Sequence, residues 1–126
     1  MDIANYDLRT NAEQGFAFTV VDPITRKDTD LTITIVGSDS KTFRRARTDA
    51  LRDVVKAGGD FDEDQMTAQM CAACVTGWEN MTENGEPVVF SVEKAVDLFA
   101  RMGWLLDQVS AAIENRANFT KPVGTS

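Results

Sequence analysis

Two hydrophobic periods divide this chain. Phe16-Ala17-Phe18-Thr19-Val20-Val21 is dense in β-branched and aromatic side chains and predicts a strand. Leu31-Thr32-Ile33-Thr34-Ile35-Val36 alternates, with Leu31, Ile33 and Ile35 on one face, and predicts a second. The turn-rich connector Asp22–Asp30 between them predicts an antiparallel hairpin. A lone hairpin is marginal, so this one needs a helix on its apolar face, and its edges stay free for other pairing.

From Ser40 onward the period changes to that of a helix. Gly37-Ser38-Asp39-Ser40 supplies a helix start, and Phe43, Ala46, Ala50, Leu51 and Val54 recur at helical spacing to about Lys56. Gly58-Gly59 ends that helix. Asp62-Glu63-Asp64 suits the positive N-terminus of a second, with Met66, Met70, Ala73 and Cys74 on one side. Thr76–Met81 reads as a helix end leading into a turn and a short extended run. Asn84-Gly85 is a turn signal, and Ser91 a helix cap. A third helix is expected over Val92–Met102 with Ala95, Leu98, Phe99 and Met102 inward. Gly103 breaks or bends it. A fourth runs from Trp104 or Leu105 to about Asn118, its inner face Leu105, Val109, Ala112 and Ile113, with Phe119 anchoring its end. The expected class is α+β, an N-terminal β-hairpin followed by about four helices, because strands and helices are segregated along the chain. Residues 1–15 are polar without a sustained period and read as a flexible arm. Residues 16–119 form one domain, and 120–126 read as a flexible tail.

Composition narrows the chemistry. The 126 residues are 43% hydrophobic, which suits a single globular domain rather than disorder. Net charge is −7, so free nucleic acid and anionic membrane are not expected partners. No apolar run approaches a membrane span, and no leader is legible at Met1–Asn5, so the cytosol is the expected compartment. The charge is also segregated. Six bases lie between Lys41 and Lys56 against Asp49 and Asp53, whereas Ala57–Glu93 holds eight acids and no base. Two solvated faces account for most of this; the sharper reading is a basic helix of one copy meeting an acidic surface of another copy or a partner.

Histidine is absent, which removes Ser-His and Cys-His nucleophiles. Cys71-Ala72-Ala73-Cys74 has CxxC spacing. It lies in a stretch without a base and lacks the four ligands of a zinc site, so the cysteines read as small core residues. Asp60, Asp62 and Asp64 alternate as in a calcium loop, but the central glycine and closing acid are missing. Neither catalytic residues nor a cofactor nor a metal is expected. What remains is contact. Arg47 falls on the apolar side of the first long helix, where an arginine more often snorkels than binds a partner. Arg44, Arg47, Met66, Met70, Trp78 and Trp104 are the candidate protein-binding residues, each weighed against an ordinary core or surface role.

The run Val75-Thr76-Gly77-Trp78-Glu79-Asn80-Met81, then Asn84-Gly85-Glu86-Pro87-Val88-Val89-Phe90-Ser91-Val92-Glu93-Lys94-Ala95, resembles the tail assembly chaperones of long-tailed bacteriophages. The shared order is an aliphatic residue, a Gly-Trp step, a turn with glycine, a Pro-x-x-Phe-Ser opening of a helix, and a last amphipathic helix ending as in Ala111–Phe119. The resemblance is firm over 75–119 and loose over 31–119. It implies a non-enzymatic assembly factor that binds the tape measure protein, keeps it soluble and helps recruit tail tube subunits. It further implies action in the cytoplasm of the infected bacterial host, absence from the mature virion, and a short form of a product often lengthened by frameshifting. Homo-oligomers along the client fit the same picture. Acidic nucleic-acid mimicry, a thiol redox role and a structural tail or head-completion role are the competing classes.

Overall fold

In the computed structural model, which describes residues 1–120, an alternating strand holds the centre of the sheet. This strand, β2 (Asp28–Ile35), pairs antiparallel with β1 (Phe16–Val21) on one side and with β3 (Val75–Glu79) on the other. Ile33 lies between Phe18 and Trp78 in the register, and Ile35 between Phe16 and Val75. Ile33 and Ile35 are wholly buried, while the alternate Thr32 and Thr34 face the other side. Helix α5 (Gly103–Glu114) crosses β1 and β2 and buries Leu105, Val109 and Ile113 against them.

The fold is α+β, but the hairpin is not a separate N-terminal unit. Val75–Glu79 continues the sheet where the sequence suggested only a helix end and a turn. Val75 and Trp78 carry the β preference, and the free edge of β2 supplies the partner groups that a strand this short cannot supply for itself. A bulge between Thr34 and Ile35 sets the turn from β2 to the next helix.

The helix starts are where the capping residues put them. Ser40 opens α2 (Lys41–Lys56): its hydroxyl accepts from the Phe43 N–H at 3.0 Å and donates to the Gly37 carbonyl at 2.6 Å, so this buried hydroxyl is fully paired. Asp62 opens α3 (Glu63–Ala73) by accepting from the Asp64 and Gln65 N–H groups. Ser91 opens α4 (Val92–Arg101), accepting from the Lys94 N–H at 3.0 Å.

Three expectations are corrected. Within the supposed N-terminal arm, Ile3–Tyr6 forms a 3-10 turn and Arg9–Gln14 a short helix, α1. Ala12 is buried, its carbonyl accepts from the Gly37 N–H at 2.9 Å, and Glu13 accepts from the Thr42 hydroxyl at 2.7 Å. Six residues are too few to show a helical period, so these long-range bonds were invisible in sequence. On α3 the buried face is Ala68, Cys71 and Ala72, with Ala73 exposed and Met66 and Met70 half-buried. Small side chains there let α3 lie along α4, and that closeness outweighs the longer methionines. On α2, only Ala46 is buried, and Leu51 stands 59% exposed.

The last helix ends at Glu114, earlier than Asn118. Asn115 caps a 3-10 turn over Arg116–Phe119 by accepting from the Ala117 N–H. That turn drops Phe119 into the core, edge-on to Phe16 with ring centroids 6.2 Å apart. Residues Lys121–Ser126 of the expected tail lie outside the described residues.

Gly37 is where the closing turn meets the sheet. A Cβ there would stand 2.8 Å from the Phe119 ring. Gly37→Ala is therefore expected to cost about 1–3 kcal/mol by overpacking, and Phe119→Ala about 3–5 kcal/mol by leaving a cavity. The two costs overlap, because removing the ring makes room for the methyl. Urea denaturation of both single variants and the double variant checks this; strictly additive losses would show that the two positions do not share a contact.

Candidate functional site

The segment between α3 and α4 is folded back on itself by three left-handed residues. Asn80 (φ 65°), Asn84 (φ 54°) and Gly85 (φ 82°) are residue types that accept this conformation. Asn84-Gly85 joins a two-residue ribbon, β4 (Thr82–Glu83) with β5 (Glu86–Pro87). So small a ribbon needs outside support. Trp78 gives it from the sheet: the indole N–H donates to the Val88 carbonyl at 2.8 Å, and the ring meets Phe90 edge-to-face at 4.9 Å. The Val88 N–H donates to the Met81 carbonyl at 2.9 Å. Helix α4 supplies the charges, with Lys94 3.0 Å and Arg101 3.2 Å from the Glu83 carboxylate. These two cations, Lys94 foremost, hold the Glu83 carboxyl below its ordinary pKa.

A second corner faces the ribbon. Met102 ends α4 and starts α5. Its N–H donates to the Leu98 carbonyl, and its own carbonyl accepts from the Leu105 and Leu106 N–H groups. Gly103 needs no left-handed conformation here and makes no close contact. The corner throws Met102 and Trp104 outward over the sheet. Gln108, one turn on, fixes α5 to the β1 edge: its side chain accepts from the Val21 N–H at 2.9 Å and donates to the Val21 carbonyl at 2.8 Å. This amide does for the end of β1 what a further strand would do.

Between ribbon and corner runs an apolar groove. Its walls are Leu31, Met81, Val88, Met102 and Trp104, its floor is Leu98 and Leu105, and Thr82 and Glu83 of the ribbon complete the lining. This lobe encloses about 230 Å³. Past Leu31, Met81 and Trp104, a shallower lobe of about 340 Å³ continues to Pro23 and Ile24 at the β1–β2 turn. Trp104 is 38% exposed, and Ile24 and Val89 lie bare close by. Two flexible thioethers beside an indole make a surface that adapts to an apolar side chain.

The six candidate contact residues do not share one site. Trp104 is in the groove. Trp78 sits half-buried beneath it, its N–H spent on the ribbon, so it positions the wall instead of meeting a partner. Met70 is half-buried against the core. Met66 lines a separate cleft between α2 and α3, with Val54 and Phe61. Arg47 is exposed, and Arg44 borders an open cleft with Arg9, Glu13 and Lys41. Leu31 and Val88 were not among the candidates. Both line the groove, Leu31 from β2 and Val88 from the segment that Trp78 and Met81 hold by hydrogen bonds.

The cysteine pair lies at the C-terminal end of α3, not in mid-helix. Cys71 is in the last turn and Cys74 caps it, and both are buried with free thiols. Burial pushes the Cys71 thiol up to about 11 and the Cys74 thiol up to about 12. Carboxylates add to this, Glu114 at Cys71 and Glu13 at Cys74. A helix C-terminus further disfavours a thiolate, so the site opposes the charge that redox chemistry requires. Among the described residues, no cluster of three His, Cys, Asp or Glu side chains is placed to hold a metal ion, and no helix is long and apolar enough to cross a membrane.

Comparison with protein-family models, curated proteins and solved structures finds no match for this chain.

The raised thiol pKa values fix a sign for alkaline stability. Below pH 9 the thiols are neutral in both folded and unfolded chains and contribute nothing to the pH dependence. Above 9 the unfolded thiols ionise while the folded ones stay neutral until about 11 and 12, so stability falls across that interval. The urea midpoint of the wild type is expected to drop more steeply from pH 9 to 11 than that of Cys71→Ala/Cys74→Ala. Equal slopes would remove the cysteines as the cause.

Proposed function

We propose that this chain is a bacteriophage tail assembly chaperone in its short form, holding a tape measure protein through the groove beside Trp104. It keeps that client soluble and helps recruit tail tube subunits. It works in the cytoplasm of the infected bacterial host and leaves before the virion is complete. It acts by contact, without catalysis.

One observation carries this reading. The stretch that resembles the chaperone family over 75–119 also builds most of the groove: Met81, Val88, Leu98, Met102, Trp104 and Leu105 all belong to it. The residues of the resemblance therefore have a physical task in common, which is to raise an apolar wall and pin it in place. The Asn84-Gly85 turn, the Trp78 bond and the Ser91 cap are its fixings. A tape measure protein is a very long helix-rich chain, and one apolar face of such a helix is the kind of occupant that a methionine-lined groove accepts. Nucleic-acid mimicry finds less support, because Glu83 is neutralised by Lys94 and Arg101 instead of being displayed.

The test uses the tape measure protein encoded by the same genome. Purified wild-type chain is expected to suppress the light scattering of that client and to co-elute with it. Trp104→Ala, with an unchanged circular dichroism spectrum, is expected to weaken binding by about 2 kcal/mol, or roughly thirtyfold, as for a buried aromatic anchor. A client that aggregates at the same rate with or without the wild-type chain would sink the assignment. Mass spectrometry of finished virions separates it from a structural tail protein, which would remain in the particle.

A further inference from the structure

Helix α2 is out of proportion to what it buries. Of its residues Lys41–Lys56, only Ala46 is inside, while Leu51 is 59% and Val55 79% exposed. Two stripes explain this. At about 100° per residue, Phe43, Ala46, Ala50 and Val54 cluster toward the body, and Leu51 and Val55 fall about 80° and 120° round from Phe43. Arg44, Arg47 and Thr48 share that second, bare stripe.

The charges around it are equally unspent. Among the described residues, Arg44, Arg47 and Lys56 have no ion-pair partner, and neither do Asp60, Asp62, Glu63 and Asp64 just beyond the helix. Gly58 and Gly59, both left-handed, turn the chain so that these acids gather at the C-terminal end of α2. Phe61, 44% exposed, stands among them and lines a cleft of about 210 Å³ with Val54, Ala57, Asp62 and Met66. The helix thus presents a basic N-terminal half and two bare apolar side chains, and the acids lie past Lys56 in the turn that follows it.

We propose that a second copy of this chain covers this face, the two α2 helices crossing antiparallel about a two-fold axis near Asp53. Leu51 and Val55 of each copy pack against those of the other. A two-fold contact must be self-complementary, and this one is: each basic half meets the other copy's acidic end. With a rise of about 1.5 Å per residue, Arg47 lies about 9 Å from the crossing point, beside the Asp60–Asp64 turn of the facing copy. A parallel arrangement would set Arg47 against Arg47. The exposed Phe61 stands in the turn past the end of the contact. The groove beside Trp104 shares no residue with this surface, so the dimer stands or falls independently of the chaperone assignment.

Sedimentation velocity on the full chain without any client tests it. The wild type is expected to dimerise reversibly, more weakly as salt rises. Arg44→Asp/Arg47→Asp and, separately, Asp60→Arg/Asp64→Arg are each expected to raise the dimer dissociation constant at least about tenfold. Neither pair includes the Asp62 helix cap, so both variants retain their folds by circular dichroism. Mixing the two variants restores opposite charge at both ends, and a heterodimer close to wild-type affinity is expected. Monomeric wild type at low salt, or a mixture of folded variants that stays monomeric, overturns the proposal. Client binding by a strict monomer would leave the chaperone reading intact and remove only this contact.

Discussion

The pairing of β2 with β3 is the interaction on which the rest of the molecule depends. It joins residues forty or more positions apart, Ile33 to Trp78 and Ile35 to Val75. It buries the apolar face of β2 from the second side and closes an edge that would otherwise be free to aggregate. It also sets Trp78 where its indole N–H can reach the Val88 carbonyl. Without that bond, the ribbon from Thr82 to Pro87 would be a two-residue hairpin with little to hold it. The groove is therefore a consequence of sheet closure: Leu31 on β2 and Met81, in the link that leaves β3, both line it.

Loop closure over such a distance costs entropy that local contacts do not repay. The molecule reduces that cost by converging other links on the same corner. The Val36 N–H donates to the Cys74 carbonyl, the Gly37 N–H to Ala12, and the Ser38 N–H to Ile113. Three separate segments are thus tied to one short stretch after β2, and Phe119 seals it against the Gly37 backbone. The buried thiols of Cys71 and Cys74 belong to this same junction, where their small volume lets α3 approach its neighbours. A CxxC here is a packing device, and its spacing is that of one helical turn meeting a strand.

Much of this was legible in the order of the residues, and the failures have distinct causes. The caps Ser40, Asp62 and Ser91 each marked a helix start, because a side-chain oxygen at that position satisfies backbone donors locally and needs no distant partner. The strand β1 announced itself by its β-branched and aromatic residues, and β2 by alternation. β3 did not, since a five-residue strand with a central glycine owes its existence to the edge it joins. Helix α1 was invisible for the same reason. Met66, Met70 and Ala73 were placed on the inner face of α3 from hydrophobicity alone; the contact with α4 selected Ala68, Cys71 and Ala72 by size. Leu51 shows the opposite error. Its spacing is helical, but periodicity says that a residue lies near an apolar stripe, not that the protein has something to cover it. Of the site, Trp104 and Met102 were readable as adaptable apolar side chains; their alignment with Leu31 was not.

Two unspent surfaces on so small a domain have a joint consequence. The groove beside Trp104 and the bare stripe of α2 are lined by different residues, so occupation of one leaves the other open. A groove of about 230 Å³ accepts a few side chains, and one such contact is weak and quickly released. In the proposed dimer, coupling two grooves through α2 would make the second contact intramolecular, at an effective concentration that raises overall affinity by about 10²–10⁴ without any new interaction. A long client with repeated apolar faces rewards that arrangement, and a compact folded protein does not. On the proposed reading, selectivity for an extended client would follow, since an extended chain can present two apolar faces to one dimer.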